Sequence, residues 1–145
     1  SAGTGTTASG LLMTAKQEQK VMVFSGLKGG GFLEKDIKHL INYTTYNEDH
    51  TAEVLRHLVL KTDYHFGGFA KITPELIQFV NVFHQQFQIP LDLIYTSKLF
   101  YGLFDGIRKN NFPPKTKIVA LHTGGLQGNL GFEKQLKKLG LTLNY

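Results

Sequence analysis

Two continuous apolar runs of strand length, separated by amphipathic helical segments, constrain the fold of this chain more than any other feature. The runs are Lys20–Ser25 (KVMVFS) and Lys117–His122 (KIVALH). Neither alternates between apolar and polar residues, which is typical of strands that are buried on both faces. Such strands occur in parallel sheets covered by helices. The sequence therefore predicts an α/β fold with a parallel sheet flanked by helices.

The clearest helix is predicted over Thr73–Gln88. Thr73 suits the N-cap, Pro74 the first helical position and Glu75 the positive end of the helix dipole. A loop over Gly5–Lys16 leads into a short helix. Similar patterns predict helices over Phe32–Ile41, Glu53–Leu60, Ser97–Lys109 and Phe132–Lys138, and a short final strand over Leu141–Tyr145.

Composition narrows the functional classes. A chain of 145 residues, 41% of them apolar, is long enough for one domain with a real core. It has no cysteine, and no apolar run approaches the roughly 18 residues of a membrane span. The net charge of +5 is scattered rather than arranged in a basic stripe. We therefore expect a cytoplasmic protein that binds neither nucleic acid nor membrane, and no metal site, because His, Asp and Glu do not cluster.

A glycine-threonine loop near the amino end is the first candidate site. Glycines let backbone N–H groups converge on an anion, and the start of the following helix adds partial positive charge. No lysine follows as in a nucleotide P-loop. The loop is thus a candidate phosphate site, and a merely flexible segment is the alternative that the loop alone favours. No strand precedes this loop, so we expect the chain to lack its natural beginning. The loop residues are Gly3, Thr4, Gly5, Thr6 and Thr7.

Two further candidates lie at the ends of apolar segments. In PLDLIYTSK, Tyr95 and Thr96 come just before a helix, and the Tyr95 ring is either a core side chain or a proton-transfer group facing a cleft. In HTGGLQG, Thr123 and Gly124 follow a predicted strand. A hydroxyl at the carboxyl end of a parallel strand faces the usual ligand crevice. We interpret His122 as a hydrogen-bonded structural residue.

Together these segments resemble a known family. GTGTTASGL, LKGGGFLEKDI, YHFGGFAKITPELIQF, IPLDLIYTSKLFYGLFDGI and IVALHTGGLQG occur in this order. They are similar to the C-terminal half of the pyridoxal-phosphate enzymes 1-aminocyclopropane-1-carboxylate deaminase and D-cysteine desulfhydrase, which have the tryptophan-synthase β-like fold. The resemblance implies that residues 1–145 are the C-terminal portion of the cofactor-binding α/β domain. It also implies that the N-terminal half, with the Schiff-base lysine, is absent from this chain.

The resemblance implies a role for each candidate. Gly3, Thr4, Gly5, Thr6 and Thr7 would hold the phosphate of pyridoxal 5'-phosphate. Tyr95 would be catalytic, in contact with cofactor and substrate. Thr123 would face the pyridine nitrogen, and Gly124 would let the backbone pass close to the ring. Thr96 stands where deaminases carry a glutamate, and Phe69 lies in the substrate pocket where many members have a tyrosine.

The implied function is a pyridoxal-phosphate-dependent lyase or hydrolase of amino-acid metabolism that releases ammonia and a 2-oxo acid from a small amino acid. Threonine at position 96 leaves the ring a weaker electron sink than glutamate would. That favours β-elimination of the D-cysteine desulfhydrase kind over ring-opening deamination. The expected partners are the missing N-terminal half and a second subunit in a homodimer, and the fragment alone should be inactive. The alternatives are a non-catalytic anion- or nucleotide-binding α/β domain and a family member that has lost activity.

Overall fold

The computed structural model describes residues 1–145 as an α/β fold, as the sequence predicts. Its sheet has two strands, β1 (Val21–Phe24) and β2 (Leu58–Lys61), and a 3₁₀ helix covers Leu126–Phe132. The α-helices are α1 (Thr6–Met13), α2 (Phe32–Thr45), α3 (Glu48–Leu55), α4 (Pro74–Phe87), α5 (Thr96–Arg108) and α6 (Glu133–Leu139).

The two strands pair in parallel, and their carboxyl ends point to one edge of the sheet. Val21 lies opposite Leu58 and Phe24 opposite Lys61. On the other side of β1, the Ala2 N–H donates to the Phe24 carbonyl at 2.9 Å. The segment that leads into α1 therefore starts beside the carboxyl end of β1, which is where an α/β sheet presents its loops.

Apolar side chains form two clusters, one on each side of β1. The larger has 13 buried residues, mostly from α4, α5 and the segment that joins them. The smaller has eight and lies between α1, α2 and β1. In α2 the buried residues Leu33, Ile37 and Ile41 recur every four positions, so one stripe of the helix packs against this cluster. Helices thus cover both faces of the short sheet.

Helix α4 confirms the signals read from its sequence. The Thr73 side chain accepts a hydrogen bond from the Leu76 N–H at 3.3 Å, and Pro74 occupies the first turn. The helix ends at Gln88, which adopts a left-handed conformation with φ 56°. Local capping chemistry therefore sets both ends of α4.

The helix predicted over Glu53–Leu60 is wrong in its position. The structure places α3 earlier, because the Asn47 side chain accepts a hydrogen bond from the His50 N–H at 2.9 Å and starts the helix there. Residues Leu58–Lys61 instead form β2. Their pairing with β1 is a long-range contact, and such contacts decide strand formation more than local propensity does.

The strands predicted over Lys117–His122 and Leu141–Tyr145 do not form. The first segment makes no backbone–backbone hydrogen bond, and Val119 is 86% exposed. The second is tied to α4 by Asn81, whose side-chain amide donates to the Thr142 carbonyl at 2.9 Å. An apolar run becomes a strand only where a partner adjoins it, and neither segment has one in this structure.

Truncation of Leu76 should expose how much α4 contributes to stability. Leu76 is fully buried in the larger cluster, so Leu76→Ala should lower the free energy of unfolding by about 2–5 kcal/mol. Val82 lies on the same helix and is 52% exposed, so Val82→Ala should change it by only about 0.5 kcal/mol. Denaturant titration measures both variants; equal losses would mean that α4 does not pack as described.

Candidate functional site

The site lies at the sheet edge where β1 ends and α5 begins. Tyr95 directly precedes α5, and its half-buried ring packs over two glycines. A Cβ added to Gly3 would lie 2.8 Å from the Tyr95 hydroxyl, and one added to Gly26 would lie 3.3 Å from its Cδ1. The structure thus brings the glycine-threonine loop, the end of β1 and Tyr95 together, and the two glycines allow both segments to approach the ring closely.

The glycine-threonine loop carries free hydrogen-bond donors. Gly5 stands before α1 in a left-handed conformation with φ 82°, and no side chain caps the helix. The first amides of α1 therefore have no partner from within the helix. Thr4, Thr6 and Thr7 are exposed, and the Thr4 and Thr6 hydroxyl oxygens lie 3.3 Å apart. Hydroxyls and uncapped helix amides together match what a phosphate accepts.

Phe69 lies next to Tyr95. Their ring centroids are 6.2 Å apart with an interplanar angle of 59°. Phe69 is 56% exposed, so this ring pair lies at the protein surface. The Tyr95 hydroxyl has no hydrogen-bond partner within the chain, which leaves it available to a ligand.

Asp92 organises the start of α5, a role that was not predicted from the sequence. The carboxylate is 1% exposed and accepts backbone N–H bonds from Ile94 at 2.9 Å, Tyr95 at 2.7 Å and Thr96 at 2.8 Å. The Thr96 hydroxyl donates a further bond to it. The signal was present: an aspartate just before a helix is a common cap for free amides.

Thr96 is committed to this local network. It is 1% exposed, and its hydroxyl oxygen also accepts a bond from the Asp92 N–H at 2.9 Å. The side chain therefore closes a ring of hydrogen bonds with Asp92 at the first turn of α5. Its role beside a cofactor ring stays a prediction.

The HTGG segment packs onto the loop that carries Asp92. His122 Nε2 lies 2.8 Å from the Pro90 carbonyl, and its Nδ1 accepts from the Gly124 N–H at 3.2 Å. These contacts agree with the structural role expected for His122. Gly124 has φ 84°, and a Cβ added to the next glycine, Gly125, would lie 3.2 Å from Asp92 Cγ. Thr123 itself is exposed.

Lys98 is a buried cation that ties three segments together. Its ammonium donates to the carbonyls of Gly26 at 3.3 Å, His65 at 2.9 Å and Gly68 at 2.7 Å, and its side chain is fully buried. Burial lowers the pKa of Lys98 to about 8, against an opposing contribution from Asp92. Lys98 therefore holds the loop after β1 and the loop leading to Phe69 around Tyr95.

No group of three or more His, Asp or Glu side chains converges as metal ligands would. No helix has the length and apolar character required to cross a bilayer.

Replacement of Asp92 by asparagine should loosen the start of α5. Asparagine keeps the shape but loses the charge that accepts four donors, so Asp92→Asn should lower the free energy of unfolding by about 1.5–3 kcal/mol. Asp63 is exposed, and Asp63→Asn should change it by only about 0.5 kcal/mol. Denaturant unfolding of both proteins compares them; a neutral Asp92→Asn would contradict the role given to this carboxylate.

Lys98 should make stability rise with pH above neutrality. Below pH 8 the lysine is charged both folded and unfolded, and its burial opposes folding in full. Between the folded pKa of about 8 and the unfolded value of 10.5, the unfolded chain holds more protons, so the free energy of unfolding increases with pH. Lys98→Met should abolish this increase.

The control is Lys38→Met, which removes an exposed lysine from α2 and should keep the increase. Denaturant titrations of the variants at about pH 7 and about pH 9.5 measure the difference, and tyrosines common to all of them cancel. An identical pH dependence in the Lys98→Met and wild-type proteins would contradict the buried, desolvated ammonium.

Comparison with known proteins gives a consistent set of relatives. No protein-family model matches the chain. A protein of Pyrococcus furiosus provisionally named 1-aminocyclopropane-1-carboxylate deaminase is 31% identical over 135 residues, which is 90% of this chain and 39% of that protein. A Pyrococcus horikoshii protein with the same provisional name is 40% identical over 77 residues, covering 53% of this chain and 23% of that protein.

A D-cysteine desulfhydrase of Klebsiella pneumoniae is 30% identical over 79 residues, which cover 54% of this chain and 24% of that enzyme. Among solved structures, the crystal structure of an ACC deaminase homologue matches with a TM-score of 0.73 and 29% identity. That match covers 95% of this chain and 42% of the other. The chain thus spans less than half the length of the relatives it matches.

Proposed function

Because the chain is homologous to part of the 1-aminocyclopropane-1-carboxylate deaminases and D-cysteine desulfhydrases, we propose that it forms the cofactor-binding C-terminal portion of a pyridoxal-phosphate-dependent enzyme. The observation that carries the proposal is the convergence of the glycine-threonine loop on Tyr95, where a Cβ at Gly3 would lie 2.8 Å from the hydroxyl. Hydrogen-bond donors suited to a phosphate and a free phenol at one sheet edge are groups that such a cofactor would use.

The proposed reaction is β-elimination from a small amino acid such as D-cysteine, with release of ammonia and a 2-oxo acid; deamination of 1-aminocyclopropane-1-carboxylate is the second possibility within the family. The lysine that attaches the cofactor would come from a part of a longer polypeptide that this chain does not span. Residues 1–145 alone would therefore be inactive. The enzyme would act in the cytoplasm as a homodimer.

The donor set at the start of α1 fits the cofactor phosphate. Thr4, Thr6 and Thr7 offer hydroxyls, and the uncapped helix offers amides and partial positive charge. The backbone at Gly3 and Gly5 lies close to Tyr95 and Ile37, so these glycines keep the loop tight against the protein. These five residues would hold the phosphate by hydrogen bonds, with no lysine or arginine among them.

The HTGG segment would face the cofactor ring. When bound, pyridoxal phosphate supplies an electron sink for the bond-breaking step. Thr123 would offer a neutral hydroxyl to the ring nitrogen, and Gly124 would allow backbone to approach the ring without a side chain. Thr96 would leave no carboxylate at the position where deaminases carry a glutamate, which would favour elimination over ring opening.

Tyr95 would transfer the proton. Its hydroxyl is free of internal partners, and the Asp92 carboxylate fixes its backbone by accepting its N–H at 2.7 Å. Phe69 would face the substrate without supplying a hydroxyl, so of this pair only Tyr95 would take part in acid–base chemistry.

A non-catalytic anion-binding domain is the competing function, because exposed threonines before an uncapped helix would also bind free phosphate. The two functions are separated in the longer protein that contains this chain. The enzyme should show an absorption band at the edge of the visible range with pyridoxal phosphate, removed by borohydride, and should eliminate D-cysteine faster than it opens the cyclopropane substrate. Phosphate binding without that band would support the competing function.

Removal of the Tyr95 hydroxyl should slow the reaction without releasing the cofactor. In the longer enzyme, Tyr95→Phe should lower kcat for D-cysteine elimination by about 100- to 10,000-fold, the range of a lost acid–base group. Tyr43 is 67% exposed on α2, and Tyr43→Phe should retain full activity. Pyruvate release gives the rates and the cofactor band gives occupancy; an unchanged kcat in Tyr95→Phe would remove this residue from the mechanism.

A further inference from the structure

Asn129 connects the HTGG segment to the Asp92 loop, residues 90–95. It lies in the 3₁₀ helix that follows HTGG, and its side-chain amide bonds the backbone on both sides of Asp92. The Oδ1 atom accepts the Leu93 N–H at 2.9 Å, and the Nδ2 atom donates to the Leu91 carbonyl at 3.1 Å. One side-chain amide thus pairs with two residues of the loop as the backbone of a neighbouring strand would.

These two bonds satisfy the backbone of buried residues. Leu91 and Leu93 are fully buried, and the Leu93 N–H makes no backbone–backbone hydrogen bond. A buried N–H that is left without a partner is strongly disfavoured. Because a side-chain amide has one donating and one accepting end, it fits this pair of groups in one orientation only. The position of Asn129 is therefore fixed relative to the loop.

The Asp92 loop receives further contacts from the HTGG segment and the residues after it. His122 Nε2 lies 2.8 Å from the Pro90 carbonyl. A Cβ added to Gly128 would lie 3.3 Å from Ile94 Cδ1. The contacts therefore advance in the same direction along both segments, and Asn129 lies at the far end of the series.

We propose that Asn129 is a positioning residue, which sets the register of the HTGG segment against the Asp92 loop. That register determines the spacing between Thr123 and Tyr95. The inference rests on the proposed function, in which these two side chains face one cofactor from different segments. The Tyr95 N–H is held by Asp92 at 2.7 Å, and Thr123 directly follows His122. Asn129 bonds neither of the two side chains, so it acts through the backbone of the loop.

Replacement of Asn129 by leucine in the longer enzyme tests this role. Asn129→Leu removes both bonds, so kcat for D-cysteine elimination should fall about 10- to 100-fold while the cofactor band persists, since a small misplacement of reacting groups slows a reaction by such factors. In the cofactor-free protein, the Leu93 amide should exchange its hydrogen roughly tenfold faster. The amide resonance of Gly124 should shift in the same sample, because the HTGG segment moves with the loop.

The matched control is Asn81→Leu. Asn81 is half-buried like Asn129, and its side chain also makes two backbone bonds. It donates to the Thr142 carbonyl at 2.9 Å and accepts the Asn144 N–H at 3.0 Å. Its replacement should lower the thermal midpoint as Asn129→Leu does, yet leave kcat unchanged and the Gly124 resonance in place.

Where Asn129→Leu does not fold, Asn129→Gln replaces it, because glutamine keeps both hydrogen-bonding groups on an arm that is one methylene longer. This variant should fold and still lose kcat. An unchanged kcat in the folded variant, or an equal loss in Asn81→Leu, would overturn the proposal. A wild-type enzyme without the cofactor band would instead remove the proposed function. The Gly124 resonance then decides the register: a shift in the Asn129 variant supports it, and an unshifted resonance overturns it.

Discussion

The carboxylate of Asp92 is the interaction on which the candidate site depends. It is buried and accepts three backbone amides and one hydroxyl at the start of α5. A buried charge is tolerated only where several donors satisfy it, so the loop and the helix start can adopt no looser arrangement without a large cost. Tyr95 lies inside this ring of bonds, and its backbone is consequently held at the start of α5.

Lys98 is a second buried charge, and it lies in the first turn of α5. Lys98 has no carboxylate in contact and is satisfied by three backbone carbonyls from two loops. Replacement of such a group by an apolar residue is often neutral for stability, so Lys98 contributes by positioning the two loops rather than by raising the free energy of unfolding. It sets the loops around Gly26 and Gly68 at a fixed distance from α5, and these loops carry Gly26 and Phe69 against the Tyr95 ring.

The sequence predicted what local chemistry determines. Thr73, Pro74 and the apolar spacing of α4 specify a helix without help from distant residues, and the structure has that helix. The position of β2 could not be predicted from the sequence, because Leu58–Lys61 is a strand only through its long-range pairing with β1. Sequence alone indicated a structural role for Lys98 near the start of a helix but no role for Asp92, and only tertiary packing shows that both charged side chains are enclosed.

The failed strand at Lys117–His122 connects fold to function. Its apolar composition is that of a buried strand, yet in this structure it is exposed and unpaired, so pattern and environment disagree. The segment also borders a groove beside β1 that Thr7 and Thr123 line from opposite loops. The exposed run therefore positions the HTGG segment relative to the glycine-threonine loop, and its conformation bears on both candidate sites.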